Sequence, residues 1–171
     1  MNKDIRIALT GFMGVGKSSV ARHLANMLRC QRIDLDAFIE KNEHRKIAEI
    51  IDTDGESKYR QIETRNLREL LSSSDVKILS LGGGAWTVQQ NRTLLKEHGF
   101  TSVWLEASFD HCWRNITFSR KDRPLARNKQ NALKLFEDRQ RTYCLADWHF
   151  VIRPDFTSYE VARSMKEEIF S

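Results

Sequence analysis

A glycine-rich segment near the start of the chain has the residue types and spacing of a loop that binds nucleotide phosphates. Residues 11–18, GFMGVGKS, match the pattern G-x-x-x-x-G-K-[ST]. The glycines allow a tight turn whose backbone N–H groups point at anionic oxygen, and a helix N-terminus at the same place favours negative charge. Lys17 is expected to reach the terminal phosphates, and the Ser18 hydroxyl to bind Mg²⁺. The segment indicates a nucleoside triphosphate ligand, and the residues predicted to contact it here are Gly14, Val15, Gly16, Lys17, Ser18 and Ser19.

Two carboxylates suggest a second chemical task. Asp34 and Asp36 close a short predicted strand, residues 32–36, and side chains two apart on a strand face the same side. One is expected to hold Mg²⁺ and its water, and the other to hold a hydroxyl acceptor. The alternative is a solvated acidic turn or a helix cap formed by Asp36; the phosphate loop favours the catalytic interpretation.

Two features of other phosphate-loop proteins are missing from the sequence. The predicted strand at residues 76–81 runs into three glycines, whereas many such proteins place a magnesium-binding Asp at the end of a later strand. The sequence also contains no Asn-Lys-x-Asp segment. Its absence argues against a GTPase.

Apolar periodicity indicates the elements that must position these groups. Buried strands are predicted at residues 5–9, 32–36, 76–81, 100–105 and 149–152. Helices are predicted at residues 18–28, 47–51, 59–71 and 131–145. Thr87 is predicted to cap another helix, which Gly99 would close, Ser108 to cap the next, and a capping box at residues 157–160 to open the last, at 157–169. Alternating strands and helices predict an α/β fold with a mainly parallel sheet, and we expect one domain over residues 1–171.

Composition narrows the class of protein. The chain has 171 residues, of which 40% are hydrophobic and 30% charged, which is typical of a globular protein rather than a disordered one. It contains no apolar run long enough to cross a membrane and no signal-peptide pattern, and its 3 cysteines lack metal-like spacing. Sparse, unpaired thiols favour a reducing cytoplasm. The net charge of +5 fits either a nucleic-acid partner or a site that handles two anions.

Residues 114–129 are rich in Arg and Lys and poor in apolar periodicity. We predict a mobile loop in the middle of this stretch. The alternatives are a solvated charged surface or a contact with nucleic acid.

Five further segments, taken together, resemble the shikimate kinase family. They are residues 34–40 (D-x-D-x-x-I-E), 55–63 (G-E-x-x-Y-R-x-x-E), 81–85 (LGGGA), 123–125 (RPL) and 139–143 (R-x-x-x-Y). They occur in the family's order, at similar spacing, across nearly the whole chain. Tyr59 replaces the usual phenylalanine, and Ala126 stands where a leucine is common. Because Tyr59 keeps the aromatic face, we expect little change there, whereas Ala126 affects lid packing.

The resemblance implies a fold and a reaction. The fold is the phosphate-loop fold of nucleoside monophosphate kinases, three layers with a five-stranded parallel sheet. The reaction is phosphorylation of the 3-hydroxyl of shikimate by ATP with Mg²⁺, on the route to chorismate and the aromatic amino acids. It also implies a cytoplasmic monomer with no nucleic-acid or membrane partner.

The resemblance also assigns roles to residues. Arg60 and Arg139 would hold the shikimate carboxylate, since paired guanidinium donors match both carboxylate oxygens. Asp36 and the Gly83 backbone would hold its hydroxyls, within a substrate-binding segment near residues 34–63. The predicted catalytic residues are Asp36, Lys17 and Arg123, and Asp34 would assist Ser18 at the metal. Arg123, with Arg120, would act from a mobile lid near residues 114–129, and Arg153 would contact adenine.

Other interpretations of these residues remain open. Arg60 alone is better explained by pairing with Glu56 or Glu63, and Arg139 by pairing on its own helix. A gluconate kinase or a nucleoside monophosphate kinase is the rival enzyme, although a nucleotide acceptor would need more arginines. The alternative that is not an enzyme is a nucleic-acid-binding or regulatory protein that uses ATP as a switch. It would need the aromatic, basic surface of a single-strand binder, which the sequence does not offer.

Overall fold

A computed structural model describes residues 4–170 and shows a five-stranded parallel sheet with helices on both faces. The strands are β1 Arg6–Thr10, β2 Arg32–Asp34, β3 Ile78–Ser80, β4 Phe100–Glu106 and β5 Trp148–Val151. Their order across the sheet is β2-β3-β1-β4-β5. In the parallel register Leu9 lies opposite both Ser80 and Val103, so the carboxyl ends of the central strands meet at one edge. In open α/β sheets this edge is where ligands bind, and the predicted fold class is confirmed.

Eight α-helices and two 3₁₀ turns are found within residues 4–170. The helices are α1 Lys17–Leu28, α2 Leu35–Glu43, α3 Ile47–Asp54, α4 Glu56–Ser73, α5 Gln89–Glu97, α6 Phe109–Phe118, α7 Lys129–Tyr143 and α8 Ser158–Ile169. The 3₁₀ turns are Ala85–Thr87 and Pro124–Ala126. The helix α2 was not predicted, because its nine residues bury only Leu35 and Ile39 and give little periodic signal.

The core lies on both faces of the central strands. Ile7, Leu9 and Leu79 have no exposed surface, because helices cover the sheet on each side. Helix α1 contributes Val20 and Leu24, also almost fully buried. Burying each such side chain contributes about 1.5–3 kcal/mol, which anchors the strand ends that carry the polar groups.

The phosphate loop is held in place by close packing at two of its glycines. Gly11 and Gly14 have positive φ angles of 144° and 81°. A Cβ added at Gly11 would lie 2.7 Å from the Leu105 carbonyl oxygen, and one at Gly14 would lie 2.5 Å from the Cys112 carbonyl oxygen. Both the backbone conformation and the packing against β4 and α6 therefore exclude a side chain at these positions.

Two predicted helix starts are confirmed and two predicted boundaries are wrong. The Ser108 hydroxyl accepts from the His111 amide, and Thr157 with Glu160 forms the capping box of α8. Thr87, however, is not an N-cap: its hydroxyl donates to the Gly84 carbonyl at 2.6 Å, and Val88 precedes α5.

The second wrong boundary is the end of β2. The strand stops at Asp34, whose carboxylate accepts from the Ala37 amide at 3.1 Å and caps α2. Asp36 therefore lies in the first helical turn, where a negative charge is favoured by the helix dipole. The cap is formed by Asp34 rather than by Asp36, and the two carboxylates do not share a strand face.

The middle of the charged stretch is irregular, where a loop was predicted. Helix α6 extends to Phe118 and α7 begins at Lys129, so the irregular part, here named the lid segment, is residues 119–128. Within it, Pro124–Ala126 forms a 3₁₀ turn. In the described part of the chain, none of the helices combines the length and the apolar character that crossing a membrane would require.

Candidate active site

Lys17 lies inside the phosphate loop, as predicted. Its ammonium donates to the carbonyl oxygens of Gly11 at 2.6 Å and Phe12 at 3.0 Å, and the residue is only 8% exposed. Burial lowers the pKa of Lys17 from 10.5 to about 8, against the opposing charge of Asp36. A desolvated ammonium in a glycine-rich turn is well placed to bind phosphate oxygen.

Ser18 and Asp34 form an oxygen-rich group beside the loop. The Ser18 hydroxyl donates to Asp34 Oδ2 at 2.5 Å, and Ser80 donates to the same oxygen at 2.9 Å. Burial alone would raise the pKa of Asp34, but hydrogen bonds from Ser18, the Ala37 amide and Ser80 hold it below its usual value. An ionised carboxylate and a hydroxyl are ligands that suit Mg²⁺, which keeps several waters of its own. Residues 4–170 contain no group of three or more His, Cys, Asp or Glu side chains that could hold a metal alone.

The guanidinium groups of Arg60 and Arg139 converge on the glycine segment, residues 82–84. A Cβ added at Gly84 would collide with Arg60 Nη2 and lie 2.8 Å from Arg139 Nη2. At Gly83 it would lie 3.1 Å from Arg139 Nη1. Only glycine leaves room here for two cationic groups that come from different helices, α4 and α7.

Arg139 carries an unpaired donor. The residue is 5% exposed, and its Nη1 atom has no hydrogen-bond partner among residues 4–170. The predicted alternative, an ion pair within its own helix, is not found in this part of the chain. Buried polar groups are nearly always paired, so an unpaired guanidinium nitrogen beside a cavity indicates an anionic ligand.

Arg60 is held by two carboxylates, the buried Glu63 and the exposed Glu56. Its Nη1 donates to Glu63 at 2.9 and 3.1 Å, while Nη2 lies 3.4 Å from Glu56. The predicted pairing is therefore present, but it orients the guanidinium towards Gly84 instead of leaving it on the surface. Burial raises the pKa of Glu63, and the charge of Arg60 opposes that rise. The Tyr59 hydroxyl also donates to Glu63, at 3.2 Å.

Asp36 faces the same cavity. A Cβ added at Gly82 would lie 2.5 Å from Asp36 Oδ1, so this oxygen packs against the glycine segment. The other oxygen, Oδ2, accepts from the Lys121 ammonium of the lid segment at 2.8 Å. Sequence reasoning counted Lys121 among the basic residues but gave it no role, because spacing does not show which lysine of a basic run reaches into a site.

A cavity of about 620 Å³ brings these groups together. Its walls include Asp34, Asp36, Arg60, the glycine segment, Arg120, Arg123 and Arg139. Arg123 also donates to the Lys121 carbonyl at 3.3 Å; burial lowers the pKa of Arg123, with Asp36 acting in the opposite direction. The volume suits a small ligand.

The Gly83 carbonyl is fixed by Tyr143, whose hydroxyl donates to it at 2.5 Å. Burial raises the pKa of Tyr143 to about 12, so the hydroxyl stays a donor. The motif at residues 139–143 contains this tyrosine, but its spacing does not show which backbone group the hydroxyl holds.

Arg153 does not line the cavity. It is exposed, and its guanidinium lies 5.5 Å from the Phe156 ring. The start of helix α8 lies close to the phosphate loop, since Ser158 Oγ would be 3.8 Å from a Cβ added at Gly16. Contact between Arg153 and adenine stays a prediction.

At the carboxyl edge of the parallel sheet, a phosphate loop lies beside a cavity whose walls carry carboxylates and two converging arginines. This arrangement defines an α/β phosphate-loop kinase that acts on a small acceptor. Comparisons with known proteins agree. The sequence model of the family described as shikimate kinase matches residues 13–170. A shikimate kinase of Streptococcus thermophilus is 40% identical over 163 residues, covering 92% of this chain and 96% of that protein. The chain belongs to the shikimate kinase family.

Solved structures support the same assignment. A shikimate kinase from Acinetobacter baumannii, in complex with shikimate, is similar with a TM-score of 0.87 and 31% identity, covering 98% of this chain and 94% of that one. A shikimate kinase from Bacteroides thetaiotaomicron has a TM-score of 0.84 and 26% identity, covering 98% and 99%.

Proposed function

We propose that this protein transfers the γ-phosphoryl group of ATP to the 3-hydroxyl of shikimate, giving ADP and shikimate 3-phosphate. The observation that carries the proposal is the meeting of Arg60 and Arg139 at Gly84, with one buried guanidinium nitrogen left unpaired. Family membership and the solved relative in complex with shikimate support the choice of acceptor.

The two arginines account for recognition of the acceptor. A planar carboxylate can accept from both guanidinium groups, and desolvated pairs of this kind are stronger than surface ion pairs. Gluconate shares a carboxylate but is an open chain, whereas a rigid ring keeps its hydroxyls at fixed positions relative to the carboxylate. A rigid ligand loses less conformational entropy on binding.

Asp36 accounts for orientation of the acceptor hydroxyl. Its carboxylate lies in the same cavity as the two arginines, beside the glycine segment. In this proposal it accepts the hydrogen bond of the attacking hydroxyl and takes up its proton as the oxygen–phosphorus bond forms. The Gly83 backbone, fixed by Tyr143, holds a second hydroxyl.

Lys17, Arg123 and Arg120 account for the phosphate charge. Phosphoryl transfer depends on positioning and on stabilising charge on the transferred group, which cations on two sides of the phosphates provide. Ser18 and Asp34 would hold Mg²⁺, which supplies further positive charge to the phosphate oxygens when bound. The lid segment excludes water, which otherwise competes with the acceptor hydroxyl.

We infer the wider setting from the family. The product serves chorismate and aromatic amino acid synthesis in the cytoplasm, and the 3 free cysteines suit a reducing compartment. We expect a monomer whose partners are small molecules rather than nucleic acid or a membrane.

The test is ADP release with Mg-ATP and, separately, shikimate, gluconate or AMP. Of the three acceptors, we expect only shikimate to cause release of ADP from Mg-ATP. NMR of the product should place the phosphate on the 3-oxygen. Turnover of AMP or gluconate without turnover of shikimate would overturn the proposal.

A further inference from the structure

One lid residue touches the proposed catalytic carboxylate directly. The Lys121 ammonium lies 2.8 Å from Asp36 Oδ2, although the two residues are 85 positions apart in the chain. The side chains are 47% and 23% exposed, so the contact sits at the mouth of the cavity. It joins the lid segment to the first turn of α2.

The two oxygens of Asp36 have different surroundings. Oδ2 is held by Lys121, whereas Oδ1 faces Gly82, where a Cβ would lie only 2.5 Å away. A carboxylate with one oxygen held by a cation cannot rotate freely about its Cβ–Cγ bond. The lysine therefore leaves one defined oxygen to accept a hydrogen bond from a ligand in the cavity.

We propose that Lys121 is a positioning residue for phosphoryl transfer: from the lid segment, it fixes the Asp36 carboxylate so that Oδ1 receives the acceptor hydroxyl. This inference rests on the proposed function of Asp36. It makes orientation of that carboxylate depend on the lid lying across the cavity, because the lysine reaches Asp36 only from there. This ion pair thereby links the position of the lid segment to the orientation of the Asp36 carboxylate.

A second lid contact allows this role to be separated from simple lid closure. Arg127 pairs with Asp52 of α3 at 2.6 Å and does not contact Asp36. Loss of Arg127 loosens the lid segment and leaves the Lys121–Asp36 pair available. Loss of Lys121 removes the orientation of Asp36 and leaves the Arg127–Asp52 pair available.

The experiment compares steady-state kinetics of Lys121→Met with those of Lys129→Met, a matched change at an exposed lysine that begins α7. We expect kcat to fall about tenfold to hundredfold in Lys121→Met, as for loss of a charge-assisted hydrogen bond, with KM for ATP within about twofold. Lys121→Arg should restore most of kcat, because a guanidinium can also hold Oδ2. Lys129→Met should match the wild type, and thermal melts should show all variants folded.

A double variant tests whether Lys121 acts through Asp36. In an Asp36→Asn background, Lys121→Met should cause no further fall in the residual rate, measured by radiolabel transfer. An equal fall in both backgrounds would overturn the inference, since Lys121 would then act on the phosphates instead. A kcat of Lys121→Met equal to that of Lys129→Met would also overturn it, while wild-type turnover of shikimate would leave the proposed function standing. If the wild type did not turn over shikimate, both the proposed function and this inference would be overturned.

Discussion

At the scale of single residues, the candidate site depends on polar atoms that the protein itself leaves incompletely paired. Arg139 Nη1 is buried without a partner in the described chain, while Arg60 is anchored by Glu63 and turned towards the same glycine. One arginine is thus free to bind, and the other is held ready by its neighbours. This difference separates the expected effects of their loss.

Arg139→Ala is the cleaner test of carboxylate binding, because no buried acid loses its partner. We expect KM for shikimate to rise about tenfold to hundredfold, as for hydrogen bonds to charged groups, with KM for ATP little changed. Arg141→Ala, an exposed change on the same helix, is the control. An unchanged KM for shikimate in Arg139→Ala would contradict the two-arginine site.

Tyr59→Phe tests the support behind Arg60. The change removes a donor 3.2 Å from the fully buried Glu63 carboxylate and keeps the aromatic face. Losing one such hydrogen bond costs about 1 kcal/mol, so we expect KM for shikimate to rise a few-fold with kcat unchanged. Identical constants in variant and wild type would mean that the hydroxyl does not help to orient Arg60.

The pH dependence of ATP use follows from Lys17. Burial lowers its pKa to about 8, so in the free protein the ammonium is charged below pH 8 and neutral well above it. Phosphate binding needs the charged form, so kcat/KM for ATP should fall as pH rises above about 8, since this ratio reports groups of the free enzyme. A profile that stays flat to about pH 10 would show that Lys17 keeps its usual pKa.

The lowered pKa of Lys17 also makes the stability of the folded protein depend on pH, and here a rise in pH is favourable, whereas it is unfavourable for ATP binding. Between about pH 8 and 10.5 the unfolded chain binds more protons at Lys17 than the folded chain does. Below about pH 8 the folded state bears the cost of a desolvated ammonium at Lys17, and this cost disappears as pH rises to about 10.5, so the free energy of unfolding should rise with pH over that window. Chemical denaturation at several pH values, with and without the change Lys17→Met, measures it.

At the scale of elements, the junction of β2 and α2 shows where sequence reasoning succeeds and where it fails. Residue types and spacing single out Asp34 and Asp36, but they predict a strand that runs two residues beyond its end at Asp34. Asp can end a strand or cap a helix, and the choice depends on Ser18 and Ser80, which reach Asp34 from other elements. Such tertiary contacts are not visible in local patterns.

The lid segment is an element whose contacts, rather than its composition, define it. Its basic character was read from the sequence, yet the partners of Lys121 and Arg127 lie on α2 and α3 and became clear only in the structure. Whether the segment moves stays a prediction.

Arg127→Gln tests that prediction. Arg127 bridges Asp52 of α3 and Asp122 within the lid segment, and all three side chains are about half exposed. Exposed pairs of this kind add little to stability and are screened by salt, so we expect an unchanged melting temperature but a KM for shikimate about two- to fivefold higher. Added salt should raise KM in the wild type and change it less in the variant. A salt response that is equal in both would show that this pair does not hold the lid.

At the scale of the whole molecule, the fold was predictable because its alternating strands and helices carry strong hydrophobic patterns. The order of five short motifs identified the family, and the residues that they single out between Asp34 and Arg139 line one cavity. The net charge of the chain is +5, and several of its arginines line the cavity in which the anionic nucleotide and the anionic acceptor would meet. The supporting contacts of Lys121 and Tyr143 could not be predicted, since they depend on how distant elements pack.

The most direct measurement is a crystal structure of the protein with shikimate, Mg²⁺ and a non-hydrolysable ATP analogue. We expect the carboxylate of shikimate within hydrogen-bond distance of Arg60 and Arg139, with its 3-hydroxyl between Asp36 and the terminal phosphate bound at Lys17. Shikimate bound away from these arginines, or with another hydroxyl facing the phosphate, would contradict it.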